Sequence, residues 1–358
     1  MHTLCGYLLF CMPFVPVVIS KRHILTIACA LWHNKGMKSI WQTLPKPILA
    51  LAPMEDVTDT VFRQIVASCA RPDVFFTEFT NCDGFLSVGR KAVSQRLKFT
   101  DSEHPIVAQL WGVNPKTFFE VAKIIVSMGF DGVDINMGCP QRNVVSDGAC
   151  AALINNPSLA KEIIEATKAG AAGKIPVSVK TRIGYKTIKT REWISHLLSC
   201  DIDALIVHGR TAHEMSRVPA HWDQIGNVVE IRNTMKKSTL ILGNGDVKSA
   251  KEALEKCKSY GLDGVMIGRG VLDNPWCFDR SPVPHQPTTK ELLTLMRRHV
   301  ELFTQTWGDT KHFAILKKFF KIYITGFDGA SDVRVRAMAT DNVSEIITLL
   351  DQQLSMNT

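Results

Sequence analysis

The sequence predicts an α/β fold, a (β/α)8 TIM barrel followed by a C-terminal all-helical domain. Three observations predict it. From residue 48 onward short apolar runs alternate with amphipathic stretches, most of the runs are continuous rather than alternating, and polar residues or glycines follow the ends of the runs. Continuous apolar runs are typical of parallel strands that are buried on both faces. Eight strand–helix units of roughly 25–45 residues each form a barrel of about 230–240 residues, which we assign to residues 45–280.

The apolar runs define the eight predicted strands. In chain order they are residues 48–54, 74–80, 105–111, 132–137, 176–182, 204–208, 239–242 and 264–267. Asn114-Pro115 and Asn156-Pro157 stand between runs, and each supplies an N-cap followed by proline at the first helical position. The alternative is a doubly wound open sheet, which is also built from βαβ units. No Gly-x-Gly-x-x-Gly follows the first run, which weakens the dinucleotide-binding form of that alternative.

Residues 1–36 differ from the rest of the chain. They contain no acidic residue and two apolar runs, residues 4–19 and 24–32. Neither run reaches the roughly 20 apolar residues that a membrane-spanning helix needs. We expect a hydrophobic leader outside the fold, an appended or mis-assigned start with Met37 as the natural first residue, and a short membrane-associating leader is the alternative.

A proline-rich linker, residues 281–287, follows the predicted barrel. Beyond it, apolar residues recur at helical spacing and predict a small helical domain over residues 288–358. A lysine cluster lies within this domain and is either a solvated helix face or a contact for an anionic partner. The cluster includes Lys311, Lys317, Lys318 and Lys321.

The composition excludes several classes of protein. With 46% hydrophobic and 21% charged residues, the chain is globular rather than disordered. A formal net charge of +8 is a mild excess that is compatible with an anionic partner. Since the 10 cysteines form no Cys-x-x-Cys pair, they argue against a zinc or iron–sulfur site. Their scatter indicates reduced thiols in a cytoplasmic protein.

Glycine-rich turns follow the last two predicted strands, at residues 243–246 and 268–270. Such turns expose backbone N–H groups beside a helix start, so they predict a phosphate site, with tight turns that bind no ligand as the alternative. Lys180 lies within a strand, where an ammonium group needs an anion or a polar ligand. Together with Gln109 and His208, these features favour a bound cofactor over a purely structural role for these polar residues.

Cys139 is the one thiol that the sequence separates from the others. It lies between Gly138 and Pro140, directly after a predicted strand, where a ligand can reach it. An ordinary thiol has a pKa of about 8.5 and is largely protonated at neutral pH. It can therefore act as a general acid as well as a nucleophile. Spacing alone leaves a purely structural role open.

Six motifs, together with Gln109, resemble those of the tRNA-dihydrouridine synthases. They are Leu-Ala-Pro-Met-Glu-Asp-Val-Thr-Asp at 51–59, Asn-Met-Gly-Cys-Pro at 136–140, Val-Lys-Thr-Arg at 179–182, Val-His-Gly-Arg-Thr at 207–211, Gly-Asn-Gly-Asp at 243–246 and Gly-Arg-Gly at 268–270. They occur in that family's order, and the resemblance covers residues 45–280 strongly. Residues 1–36 have no counterpart, which supports a start at Met37.

The resemblance implies an FMN-dependent oxidoreductase that reduces the C5–C6 double bond of particular uridines in tRNA. Hydride would pass from reduced FMN to C6 and a proton from Cys139 to C5, and NADPH would re-reduce the flavin. The implied flavin-binding residues are Ala52, Pro53 and Met54 at the ring, Gln109 and Lys180 at its polar edge, His208 beside it, and Asn244, Gly245, Asp246, Gly268 and Arg269 at the phosphate. Asn136, Arg182 and Arg210 would contact the substrate.

The resemblance also bears on partners. We expect the helical domain at residues 288–358 to bind tRNA, and we expect a cytoplasmic monomer with no metal and no stable membrane association. Two alternatives remain: an FMN barrel that acts on a free pyrimidine, as dihydroorotate dehydrogenase-like enzymes do, and a tRNA-binding module without catalysis. The C-terminal domain and the Asn-x-Gly-Cys-Pro element argue against the first. The complete set of cofactor and acid residues argues against the second.

Overall fold

A computed structural model of the chain describes residues 39–356. The expected leader, residues 1–36, and the proposed start at Met37 lie outside the described residues. The strands are β1 Ile48–Leu51, β2 Phe75–Phe76, β3 Thr80–Asn81, β4 Ile106–Trp111, β5 Gly132–Met137, β6 Val177–Arg182, β7 Ala204–His208, β8 Leu240–Asn244 and β9 Gly264–Ile267.

All of these strands pair in parallel in a single sheet of order β1-β9-β8-β7-β6-β5-β4-β2, and β3 also pairs with β4. The short β2 and β3 therefore share the second position of the barrel. A parallel bridge between Ala50 and Val74 joins β1 to the segment that leads into β2, and so brings the two ends of the sheet together. The predicted (β/α)8 barrel is confirmed, and the doubly wound alternative is wrong.

The predicted second strand, residues 74–80, is interrupted where a side chain replaces a backbone acceptor. The Thr77 side-chain oxygen accepts from the Gln109 backbone N–H at 3.1 Å, where a backbone carbonyl would otherwise continue the ladder. The first strand ends at Leu51, earlier than predicted, because the chain turns at Pro53 and proline has no N–H for a ladder. Strand β8 continues to Asn244, two residues further than predicted, and so carries that amide to the end of the barrel.

Helices separate the strands and cover the barrel. They are α1 Ile40–Thr43, α2 Thr60–Cys69, α3 Cys82–Leu86, α4 Arg90–Ser94, α5 Pro115–Ser127, α6 Arg142–Ser146, α7 Pro157–Ala171, α8 Thr190–Ser199, α9 Trp222–Thr234, α10 Ala250–Tyr260, α11 Gly270–Asp273, α12 Thr289–Trp307, α13 Phe320–Tyr323, α14 Ala330–Ala339 and α15 Val343–Met356. The predicted N-caps are confirmed, because Asn114 accepts from Lys116 N and Asn156 from Leu159 N.

Side chains at alternate strand positions fill the inside of the barrel. An apolar cluster contains Ile48, Ala50, Ile206 and Met266, and Trp41 of α1 packs into it. Burying each large side chain of this kind contributes roughly 1.5–3 kcal/mol. Polar side chains replace the apolar ones further along the strands, so the inside of the barrel changes from apolar to polar towards the carboxyl ends.

The C-terminal region is helical, as predicted, and it packs on helix α2 of the barrel. Phe62 of α2 stacks on Phe319, with ring centroids 4.9 Å apart. Asp59, the N-cap of α2, accepts hydrogen bonds from Trp307 Nε1 at 2.9 Å and from Lys311 Nζ at 3.0 Å. Within residues 39–356, no helix is long and apolar enough to span a bilayer.

Three residues of the predicted lysine cluster have partners inside the protein. Lys311 pairs with Asp59, Lys318 donates to the Asp56 carbonyl oxygen, and Lys317 donates to the Met338 carbonyl oxygen at 2.8 Å. Lys311 and Lys318 thus attach the helical region to the barrel.

Candidate active site

A cavity of about 1070 Å³ lies at the carboxyl ends of the strands. All fifteen residues that the sequence assigned to the site line it. Parallel strands place their carboxyl ends at the same side of a barrel, which is why residues from seven separate segments meet there. Other polar residues also line the cavity and were not assigned from the sequence: Glu55, Asn81, Arg96, Gln141, Asn143, Lys248 and Asp273.

The turn that carries Cys139 is held through its backbone. Asn136 Oδ1 accepts from both the Gly138 and the Cys139 N–H groups, each at 3.0 Å. Thr181 Oγ1 donates to the Met137 carbonyl oxygen at 3.0 Å, and Arg182 Nε donates to the Gly138 carbonyl oxygen at 2.7 Å. The turn is therefore fixed from two strands before any ligand arrives.

The Cys139 thiol is partly exposed to the cavity. Burial raises its pKa above the usual range, although a hydrogen bond with the Gln141 backbone and the charges of Arg182 and Lys180 lower it in part. The thiol therefore carries its proton at neutral pH. That state suits a proton donor better than a nucleophile.

Lys180 lies inside the barrel mouth, and within residues 39–356 its ammonium group has one hydrogen-bond partner, Asn244 Oδ1 at 3.2 Å. Burial and the charge of Arg182 lower the pKa of Lys180 to about 8. An ammonium group can donate three hydrogen bonds. The geometry thus leaves donor capacity for a ligand that presents oxygen or nitrogen acceptors.

His208 is surrounded by positive charge. Burial lowers its pKa well below the usual value, and Arg182, Lys180, Arg210 and Arg269 lower it further. The imidazole is therefore neutral at physiological pH. Four cations around one half-buried ring create a positive potential that suits an anionic ligand.

Asp246 faces the guanidinium groups of this region. Its carboxylate pairs with Arg210 and, at 3.2 Å, with Arg269 Nη2, and it accepts from the Ala220 N–H at 2.9 Å. An acceptor-only carboxylate does not bind phosphate directly. The side chain of Asp246 would therefore contribute to phosphate binding only through its hold on the two arginines.

Gln109 and Asn136 point into the barrel and contact each other, since Asn136 Nδ2 donates to Gln109 Oε1 at 3.0 Å. Gln109 Nε2 donates to Asp134 Oδ2 at 2.7 Å. The sequence reasoning missed Asp134, and the residue two positions before Asn136 on a strand faces the same side. An acidic residue at that position of an apolar run is the signal that could have identified it.

Three acidic side chains lie beside the cavity: the carboxylate oxygens of Glu55, Asp56 and Glu78 are within 4.8 Å of one another. Glu55 Oε1 accepts from Arg96 Nε at 2.7 Å, and Glu78 Oε1 accepts from the Asp56 N–H at 2.7 Å. Burial raises the pKa of Glu78 to about 7, and the charge of Asp59 adds to this effect. The carboxylates of Glu55 and Glu78 therefore already have hydrogen-bond partners within the protein.

Comparison with known proteins identifies the family. The family model Dihydrouridine synthase (Dus) matches residues 50–357. The chain belongs to the dihydrouridine synthase family. Membership confirms the resemblance drawn from the sequence motifs, and with it the prediction of an oxidoreductase.

Individual relatives agree with the family. A probable tRNA-dihydrouridine synthase of Staphylococcus aureus is 47% identical over 318 residues, which cover 88% of this chain and 95% of that protein. A probable tRNA-dihydrouridine synthase 2 of Bacillus subtilis is 44% identical over 317 residues, with 88% and 96% covered.

The solved structures that are similar to this chain are more distant in sequence than these relatives. A morphinone reductase mutant in complex with tetrahydroNAD is 13% identical, with a TM-score of 0.46 and coverage of 65% of this chain and 85% of that one. A variant of NCR from Zymomonas mobilis is 16% identical, with a TM-score of 0.45 and coverage of 67% and 89%.

Proposed function

We propose that this dihydrouridine synthase reduces the C5–C6 double bond of uridines in tRNA, with FMN as its cofactor and NADPH as the source of electrons. The main support for the proposal is that one cavity contains both the protonated thiol of Cys139 and a cation-rich region around His208. The printed names of the bacterial relatives support tRNA as the substrate.

The residues present fit FMN in two respects. A Cβ added to Gly268 would meet only Ala52 Cβ at 3.6 Å and Met54 Sδ at 4.0 Å, so the protein leaves space for a ligand against that backbone. The donors of the half-buried Lys180 match the carbonyl and nitrogen edge of an isoalloxazine ring. Gln109 and His208 would border the same ring from the barrel mouth.

The phosphate of FMN would lie at the turns after β8 and β9. Gly245 has a φ of 131° and its Cβ would lie 2.7 Å from Ala220 Cβ, so glycine is required for the chain to turn there. Arg269 follows Gly268, and its guanidinium group can pair with a phosphate oxygen. Asn244, Gly245, Gly268 and Arg269 would together hold the phosphate, and Asp246 would orient the arginines.

When bound, a reduced flavin supplies the hydride that reduces C6 of the uracil ring. Cys139 delivers the proton to C5, because its thiol is protonated and its turn is fixed. Asn136 and Arg182 bind the backbone of that turn and so orient Cys139, and because both line the cavity, their remaining donors would contact the substrate. Arg210 is held beside Asp246 and would contact the substrate or the cofactor through its remaining donors.

A uridine within folded tRNA is stacked, so it must leave the stack to enter the cavity, at a cost of a few kcal/mol. Contacts between Lys or Arg side chains and the phosphate backbone offset this cost. We propose that the C-terminal helical region, residues 288–358, supplies part of these contacts.

The proposal is tested with purified protein, FMN, NADPH and a tRNA transcript that lacks modified bases. We expect a mass gain of two hydrogen atoms at specific uridines, located by nuclease digestion and mass spectrometry. Free uracil and free orotate serve as comparison substrates. Reduction of either free base without reduction of tRNA would contradict the proposal and favour the free-pyrimidine alternative.

A further inference from the structure

Asp134 is a buried acidic residue that takes no part in the proposed proton or hydride transfer. It lies on β5 inside the barrel and is 0% exposed. Ser178 Oγ donates to its Oδ1 at 2.6 Å, and Gln109 Nε2 donates to its Oδ2 at 2.7 Å. Burial raises the pKa of Asp134 to about 6, so the group is still mainly ionised at neutral pH.

A relay of hydrogen bonds leads from Asp134 through Gln109 and Asn136 to the backbone of Cys139. Its donors and acceptors can be arranged in only one direction. An ionised carboxylate only accepts, so Gln109 must turn its NH₂ group towards Asp134. The carbonyl oxygen of Gln109 then faces Asn136 and accepts from its Nδ2 at 3.0 Å. The carbonyl oxygen of Asn136 is thereby left to accept from the N–H groups of Gly138 and Cys139.

The other side of the turn is held independently. Thr181 and Arg182 bind the carbonyl oxygens of Met137 and Gly138. The amide side of the turn consists of the Gly138 and Cys139 N–H groups, and their side-chain acceptor is Asn136. The orientation of Asn136 depends in turn on its hydrogen bond to Gln109. Loss of Asp134 would therefore loosen the amide side while the carbonyl side stays bound.

We propose that Asp134 is a positioning residue for the reaction: its carboxylate acts through Gln109 and Asn136 to fix the turn that carries the Cys139 thiol. The inference rests on the proposed role of Cys139 as the proton donor. The chain of bonds spans three side chains, and Asp134 itself is not among the residues that line the cavity.

The first test compares Asp134→Leu with Asp134→Asn in the flavin-loaded protein. Alkylation of Cys139 by iodoacetamide, followed by peptide mass spectrometry, reports the exposure and mobility of the thiol without reference to turnover. Asp134→Leu removes the acceptor, and we expect alkylation to accelerate about fivefold and kcat to fall at least about tenfold with little change in KM. Asp134→Asn keeps an acceptor oxygen for Gln109, and we expect alkylation within about twofold of the wild type.

The matched control is Ser178→Ala, which removes the other hydrogen bond to the same carboxylate but leaves the link to Gln109 intact. We expect a lower melting temperature with an alkylation rate within about twofold of the wild type. An equal acceleration in Ser178→Ala and Asp134→Leu would overturn the inference, because general loosening of the core would then explain both. An unchanged alkylation rate in Asp134→Leu would overturn it as well.

A polarity swap tests the same link if Asp134→Leu does not fold. Gln109→Glu places two carboxylates against each other, and we expect it to accelerate the alkylation of Cys139. The double variant Asp134→Asn/Gln109→Glu restores a donor–acceptor pair of reversed polarity, and we expect the rate to return to within about twofold of the wild type. Failure of the double variant to restore the rate would overturn the inference. If Cys139 is not the proton donor, Cys139→Ala keeps its turnover whatever these alkylation rates show, so the two failures are distinguishable.

Discussion

Arg182 Nε donates a 2.7 Å hydrogen bond to the carbonyl oxygen of Gly138, which ties strand β6 to the turn after strand β5. Arg182 is 7% exposed, and its Nη1 also donates to the Thr211 carbonyl oxygen at 3.1 Å. One guanidinium group at the end of β6 thus connects the turns after β5 and β7. The Cys139 thiol follows the bonded carbonyl directly, so its place in the cavity depends on the packing of the barrel.

Replacement of Cys139 by alanine tests the proton-donor role. We expect Cys139→Ala to retain bound flavin and to reduce tRNA at least about a hundredfold more slowly, because general acid catalysis contributes about 10²–10⁴-fold. The visible spectrum measures flavin content, and dihydrouridine mass mapping measures turnover. The matched control is Cys69→Ala, since Cys69 is another partly exposed thiol and does not line the cavity. Wild-type turnover in Cys139→Ala would remove the thiol from the reaction.

Arg269 offers a test of the phosphate site. Its side chain is 64% exposed and pairs with Asp246, so its loss should leave the fold intact. We expect Arg269→Ala to weaken FMN binding about tenfold and to leave riboflavin binding unchanged, because riboflavin lacks the phosphate. Quenching of flavin fluorescence on titration gives both affinities. An equal loss for the two flavins would place Arg269 at the ring instead of the phosphate.

The ion pair of Arg63 and Glu103 has a predicted structural role. Both side chains are 0% exposed and their charged groups are 2.5 Å apart. We expect Arg63→Met to lower the free energy of unfolding by about 3–5 kcal/mol, because it leaves the Glu103 carboxylate buried and unpaired. Denaturant titration measures the loss.

Two controls accompany that measurement. Arg63→Met/Glu103→Met removes both charges, and its loss should be smaller than that of the single variant. Lys123→Met breaks an exposed pair with Glu120, in which both side chains are about half exposed, and should cost less than about 1 kcal/mol. A loss in Arg63→Met no larger than in Lys123→Met would contradict the prediction.

Glu78 gives a pH-dependent prediction. Burial raises its pKa from 4.5 to about 7 in the folded protein. The neutral carboxyl group therefore contributes stability that is fully present below pH 4.5 and is lost as the pH rises through 7. We expect Glu78→Gln to match the wild type near pH 4.5 and to exceed its free energy of unfolding by up to about 3 kcal/mol at pH 8.

Denaturant titrations at the two pH values check this expectation, with the exposed Glu162→Gln as the control. The same difference between Glu78→Gln and the wild type at both pH values would show that Glu78 does not titrate in this range.

The sequence predicted the barrel because its signals are local. Continuous apolar runs such as residues 132–137 mark buried parallel strands, and the Asn114 and Asn156 caps mark helix starts. The second strand was the exception, since the Thr77 hydroxyl replaces a backbone acceptor for Gln109, and nothing in the local pattern signals that exchange.

The sequence also predicted many of the cavity-lining residues. Parallel strands bring their carboxyl ends to one side of the barrel, whatever their spacing along the chain. Only the tertiary structure decided which polar groups satisfy each other. Gln109 and Asp134 are 25 residues apart, and Lys311 and Asp59 are 252 apart. Such pairs form only where strand register and helix packing bring two side chains within about 3 Å, and no local pattern encodes that distance.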